Sequence, residues 1–177
     1  MGQLHLLKDK GGGGVCGFSH FFGFLGKYME TLKSKYYYDS ENGKIYYSKS
    51  DKEAGYIRHG YRLIYFNGKK YPAHRIAWYL YYGEWPKLEI DHINLNRSDN
   101  RIKNLRLADR YQNMANTEKL STNKSGHKGV YYCNSSKYWV SKIISRGEIY
   151  RFFSENKKEA IYIAEGIRKI LHGQYGR

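Results

Sequence analysis

The stretch from Glu89 to Asn116, EIDHINLNRSDNRIKNLRLADRYQNMAN, gathers an acid, an imidazole and several amides into one short span. Asp91 and His92 are neighbours in LEIDHI, which reads as a strand, so their side chains leave opposite faces and suit different tasks. A carboxylate is a hard oxygen ligand for a cation, whereas a histidine, largely neutral at neutral pH, can take a proton from a nucleophile. Asp109 precedes the helical pattern RYQNMAN, and Gln112 follows three residues on, the spacing of a capping box. Asn113 then falls in the first turn of that helix and can face back toward the strand as a second, neutral oxygen ligand. Asn116, about one turn further on, is its rival. Two protein oxygens, with the rest of the shell left to water and phosphate, suit Mg²⁺. A cation and a positioned imidazole are the parts that phosphodiester hydrolysis needs, the first to stabilise the departing oxygen and the second to activate water. A calcium-loop reading of DHINLNRSDNRI fails, because no glycine stands at its sixth position and no glutamate closes it.

These residues need elements to hold them. Upstream, YYYDSENGKIYYS and YRLIYFNGKKYPAH place Asn42-Gly43 and Asn67-Gly68 between aromatic runs, which predicts two hairpins with type I′ turns. The segment HRIAWYLYYGEWP predicts a short helix from Arg75 to Tyr82, closed by Gly83 and Pro86. His74 and Arg75 stand where they could approach a phosphate or pack at the helix start. After LEIDHI comes the polar loop NLNRSDNRIK, then a short strand LRLA and the helix capped by Asp109. Residues 119–126, KLSTNKSG, lack apolar periodicity and read as a linker. Beyond it GVYYCN, YWVSKIIS and EIYRFFS predict three strands. Lys157 to Leu171 predicts an amphipathic helix with Ala160, Ile163, Ala164, Ile167, Ile170 and Leu171 on its buried stripe. The fold class expected is therefore α+β, with one unit at 29–118 and a three-stranded sheet plus helix at 127–177. Residues 1–28, with Gly11–Gly14 and VCGFSHFFGFLG, differ from the rest and are expected to be an atypical extension ahead of Met29. Their apolar run of about a dozen residues is shorter than the roughly 20 that span a bilayer.

Charge states what partner to expect. The chain has 177 residues, with 31 Lys+Arg against 16 Asp+Glu and a formal net charge of +15. Residues 124–177 hold 11 of the basic and only 4 of the acidic residues, so the tail is the better docking surface for a polyanion. The chain has 20 tyrosines, side chains that pack in strands and also hydrogen-bond phosphate. Two cysteines, Cys16 and Cys133, lie far apart with no Cys-x-x-Cys pair, which removes a zinc knuckle and leaves any metal to oxygen and imidazole ligands. His59, His127 and His172 read as ordinary surface residues.

The ordered set Asp91-His92, Asn104 and Asn113, together with the upstream hairpins and AHRIAWYLYYGEWP, resembles the HNH nuclease motif in its His-Asn-Asn form. That form is found in phage and intron-encoded homing endonucleases, and the resemblance covers about residues 36 to 118. It implies a ββα-metal module with Asp91 and Asn113 as metal ligands, His92 as general base, and Asn104 as the organiser of the loop. It also implies double-stranded DNA as substrate and Mg²⁺ as cofactor, with Mn²⁺ as an alternative and no zinc. The tail is similar to AP2-type DNA-binding domains at Gly129-Val130, Lys137-x-Trp139-Val140 and Lys158-Glu159-Ala160. It departs from them where many put arginines, having Tyr131, Tyr132 and Cys133 instead. Expected DNA contacts are Arg75, Lys124, Lys128, Tyr131, Lys137, Trp139, Lys142, Arg146 and Arg151. The function expected is a site-specific, metal-dependent DNA endonuclease in the cytoplasm of a host cell, nicking as a monomer or, as a dimer, turning two nicks into a break. The alternatives are a non-catalytic DNA-binding protein on an inactive HNH scaffold and an RNA-binding protein, with membrane binding almost without support.

Overall fold

The computed structural model describes residues 30–176. The expected N-terminal extension, residues 1–28 with Cys16, lies outside the described residues, as does Met29. Residues 30–35 are helical (α1) and bury Leu32. A hairpin follows, β1 (Tyr36–Asp39) against β2 (Lys44–Tyr47), with Asp39 opposite Lys44. Its turn is wider than the two residues predicted. The Asp39 carboxylate accepts from the backbone N–H groups of Glu41 and Asn42, an Asx-type closure, and in this turn only Gly43 takes a positive φ.

Three antiparallel strands come next, β3 (Tyr56–Arg58), β4 (Tyr61–Phe66) and β5 (Lys69–Pro72). Asn67 and Gly68 both have positive φ, as a type I′ turn requires. His59 and Gly60 do the same between β3 and β4, a hairpin the sequence did not advertise because histidine is a weak turn signal. The helix α2 (Ala73–Tyr82) starts directly after Pro72 and stops at Gly83 in the left-handed region. Its Ile76 and Ala77 pack with Tyr36, Ile45, Ile64 and Phe66 to form the first core. Each large apolar side chain buried so fully contributes roughly 1.5–3 kcal/mol. Ile90 and Leu105 reach into the same core. They lie on β6 (Glu89–His92) and β7 (Leu105–Ala108), an antiparallel pair with Asp91 opposite Arg106. The helix α3 (Arg110–Ala115) completes this part, and Asp109 and Gln112 form the predicted capping box.

The second core belongs to β8 (Val130–Cys133), β9 (Tyr138–Ser145), β10 (Glu148–Ser154) and α4 (Lys157–His172). The sheet order is β10-β9-β8, and α4 covers one face through Ala160 and Ala164 on Val130 and Ile143. The buried stripe of α4 is rotated from the one predicted. Ile170 is 77% exposed, while Ile161 packs inward and Arg168 is buried. Arg168 can be buried because its guanidinium donates to Lys128 O at 2.6 Å. Gly129 is required there: its φ is +71, and a Cβ would lie 2.4 Å from Lys142 O. The small sheets and helices together make an α+β arrangement. Among the described residues no helix is long and apolar enough to cross a membrane.

Side chains that reach backbone carbonyls join the two cores. Lys128 Nζ donates to Ala115 O and Thr117 O, both at 2.7 Å, and so ties the second unit to the end of α3. After α4 a 3₁₀ turn, Gly173–Tyr175, returns to β7, where the Tyr175 hydroxyl donates to Leu107 O at 2.8 Å.

Candidate active site

Asp91 and His92 end β6 and are both nearly fully buried, at 4% and 5% exposure. Both line a cavity of about 390 Å³ together with Tyr61, Arg97, Asn113, Asn116 and Glu118. Strand alternation sends them to different partners, as their adjacency requires. His92 Nε2 lies 3.0 Å from Asn100 Oδ1. A carbonyl oxygen only accepts, so Nε2 carries the hydrogen and Nδ1 is left as the basic atom. Burial pushes the His92 pKa below its ordinary value, against the opposing pull of the Asn100 hydrogen bond and of Asp91. The ring is therefore held neutral and in one tautomer.

A second imidazole stands beside it. His74 packs edge-on against His92 with centroids 5.1 Å apart, and Tyr61 closes over both at 5.7 and 6.1 Å. Burial lowers the His74 pKa to about 3, with the charge of His92 a smaller cause. Of the two readings the sequence left open for His74, packing is the one its surroundings support.

The loop between β6 and β7 is a hydrogen-bonded structure. Asn104 accepts from Asn94 N at 3.0 Å and donates to Asp99 O at 2.8 Å, while its backbone carbonyl accepts from Ile93 N. Asp99 takes Nε and Nη2 of Arg101 at 2.7 and 2.6 Å, and these bonds pull its carboxyl down to about 2. Asn100, the partner of His92, is fixed from outside the loop. Its carbonyl accepts the Tyr38 hydroxyl at 2.7 Å, and the turn at Gly43 presses so close that a Cβ there would lie 2.4 Å from Arg101 N. The first hairpin thus buttresses the residue that orients His92.

Asp91 is held by two side chains. Asn116 Nδ2 reaches Oδ1 and Oδ2 at 2.9 and 3.0 Å and also His92 O at 2.9 Å. Arg106 makes a salt bridge to Oδ2 at 2.7 Å. Asn113 lines the same cavity, and its amide nitrogen donates to Glu89 Oε2 at 2.6 Å. That leaves the Asn113 side-chain oxygen as its acceptor. Asn100 and Arg106 were not singled out from the sequence. Arg106 had a signal, an arginine inside a short strand, but only the register of β6 against β7 shows that it faces Asp91. Asn100 had none, since its role depends on how an eight-residue stretch of loop closes.

The expected DNA contacts divide by face. Tyr131, Lys142 and Arg151 share the face of the sheet turned away from α4, where Arg151 stands directly opposite Lys142. Lys124, Lys137 and Arg146 are exposed on loops beside it. Three others are placed differently. Trp139 lies on the helix-facing side, packed against the second core with Lys157 Nζ 5.3 Å from its ring, because odd-numbered positions of β9 point at α4. Arg75 donates to Pro86 O and Leu88 O at 2.8 and 3.1 Å and pins the segment leading into β6. Lys128 directs its ammonium to the end of α3. A wider groove of about 870 Å³ runs between α3 and the sheet, lined by Tyr111, Met114, Tyr131, Lys142, Ile144 and Arg146 among others. Thr117 and Glu118 line both this groove and the smaller cavity, so the two adjoin. Asp91 and His92 line only the smaller of the two spaces.

Comparison with known proteins bears on the part of the chain that holds this cavity. An HNH endonuclease family model matches residues 71–115, which run from the end of β5 through α3 and include Asp91, His92, Asn104 and Asn113. Protein 3.8 of Escherichia phage T7 is 31% identical over 123 residues, covering 68% of this chain and 98% of that protein. No solved structure matches the chain. The chain therefore belongs to the same family as phage T7 Protein 3.8 and carries an HNH endonuclease domain over residues 71–115.

Proposed function

We propose that the chain is a metal-dependent endonuclease that hydrolyses one phosphodiester bond of double-stranded DNA per catalytic centre, in the manner of phage homing endonucleases. The observation that carries this reading is the pairing of a neutral, singly oriented His92 with the Asp91 carboxylate on the wall of one cavity. His92 Nδ1 takes the proton of the attacking water, and Asn100 keeps the ring in the tautomer that makes Nδ1 basic. Asp91 and the side-chain oxygen of Asn113 would hold Mg²⁺ or Mn²⁺. The donor chemistry fits, since a pair of hard oxygens suits a cation that keeps most of its shell as water and phosphate. When bound, the cation stabilises the charge that builds on the phosphate and its leaving oxygen. Asn104 holds the loop that carries Asn100.

The sheet supplies position. Two like charges directly opposed across an antiparallel pair repel, and Lys142 and Arg151 are relieved by an anion placed between them. With Tyr131 on the same face and Lys124, Lys137 and Arg146 around it, this surface suits a duplex backbone and groove, and it continues through the groove at Thr117 and Glu118 toward His92. This is the work of an AP2-like unit.

The test is cleavage of supercoiled plasmid and of phage DNA by the purified chain. Nicked or linear product bearing 5′-phosphate and 3′-hydroxyl ends is expected with Mg²⁺, and none with EDTA. Equal cutting with and without the chelator would contradict the metal role, and intact DNA under both conditions would contradict the enzyme reading.

A further inference from the structure

Arg106 lies across the β6–β7 ladder from Asp91, and its guanidinium is engaged on three sides. Nε and Nη2 approach Asp91 Oδ2 at 2.8 and 2.7 Å. On the far side Nη1 donates to Gln174 O at 2.7 Å. The guanidinium face lies over the Tyr175 ring, 4.1 Å from its centroid, and the Tyr175 hydroxyl is anchored on Leu107 O. Gln174 and Tyr175 belong to the 3₁₀ turn that follows α4, 68 residues further along the chain. The last turn of the second unit therefore packs on the arginine that grips the candidate metal ligand.

An arginine fork has a fixed shape, so holding one edge and one face decides where the other edge points. With Nη1 and the ring face taken by the turn, the Nε/Nη2 edge is aimed at Asp91. Among the described residues, Oδ2 then accepts from two arginine donors as well as from Asn116, while Oδ1 accepts from Asn116. The carboxylate is left with one oxygen to give to a cation.

We propose that the turn Gly173–Tyr175 is a positioning element of the metal site: Tyr175 and Gln174 hold Arg106, and Arg106 fixes Asp91 so that Oδ1 serves as the ligand. Arg106 and Tyr175 are positioning residues and neither touches the substrate. The proposal rests on Asp91 being a metal ligand.

Mn²⁺ binding to the full chain, followed by electron paramagnetic resonance without DNA, tests it. Asp91→Ala sets the blank. Tyr175→Ala and a chain ending at His172 are expected to bind Mn²⁺ about tenfold more weakly than the wild type, the usual size of an outer-shell effect. Tyr175→Phe keeps the ring over the guanidinium and should stay within about twofold of wild type on the same reasoning. Arg106→Lys keeps the charge beside Asp91 but not the fork. It is expected to bind as weakly as Tyr175→Ala, which a role of charge alone would not produce, and it stands in if the tail variants fail to fold. Wild-type affinity in Tyr175→Ala, in the shortened chain and in Arg106→Lys would overturn the proposal and leave the metal site intact. Unchanged Mn²⁺ binding in Asp91→Ala would overturn the metal role of Asp91 and this proposal together.

Discussion

At the scale of single residues, the proposed chemistry turns on how His92 is kept neutral and aimed. Asn100 is the only side chain hydrogen-bonded to the His92 ring among the described residues, and it is itself almost fully buried. Asn100→Ala should slow cleavage by about 10- to 100-fold while leaving DNA affinity unchanged, as measured by single-turnover cleavage beside a binding titration in EDTA. His74 makes a separate prediction, about stability. Its folded pKa of about 3 is far below that of the unfolded chain, near 6.5. A depressed folded value means that the unfolded chain takes up the proton first, so the stability is fully present above pH 6.5. It is lost as pH falls toward the folded value, at about 1.4 kcal/mol per unit. Denaturant melts at pH 7 and pH 5 should show this loss in the wild type and a smaller one in His74→Phe, and equal losses would contradict it. Asp91 and His92 could be singled out in the sequence because the pair ends an apolar strand and is followed by Asn104 and Asn113 in the order of the HNH motif. Asn100 and Arg106 could not be assigned to them, because they reach their partners across 8 and 15 residues of chain whose closure no local pattern encodes, whereas Asn116, the rival of Asn113 in the sequence, is the amide that meets Asp91.

Elements show the same division between local and distant causes. The Asn67-Gly68 turn and the Asp39 loop are both closed by their own residues, and the capping box at Asp109 forms as its spacing dictates. What the sequence did not reveal is the purpose of Gly43, whose missing side chain lets one hairpin touch the loop that carries Asn100. Trp139 lies on the helix-facing side of β9 rather than the face expected from the sequence: an aromatic strand residue fits either a base or a core equally well. For the sheet, placement decides what each cation does. Lys142→Ala together with Arg151→Ala should weaken duplex binding and flatten its dependence on salt, by about 0.9 in log–log slope for each phosphate no longer neutralised. Arg75→Ala should leave that slope unchanged and lower the melting temperature, since its donors serve Pro86 and Leu88. A change of slope in Arg75→Ala, or none in the double variant, would contradict this assignment.

For the whole molecule, the sequence showed where the positive charge is concentrated but not how the two units meet. Their junction consists of Lys128 on the end of α3 and the final turn on β7, held largely through backbone carbonyls that carry no sequence signature. That junction sets the charged sheet face beside the cavity of Asp91 and His92, so binding and cutting are expected to occur on one continuous surface. The central claim is that His92 is the base of a phosphodiester hydrolase, and one measurement addresses it most directly: the rate of plasmid cleavage in Mg²⁺ by wild type and by His92→Ala at matched DNA occupancy. Loss of a positioned base should slow the variant by about 10²- to 10⁴-fold while its DNA affinity stays the same. Equal rates in the two proteins would contradict that role for His92.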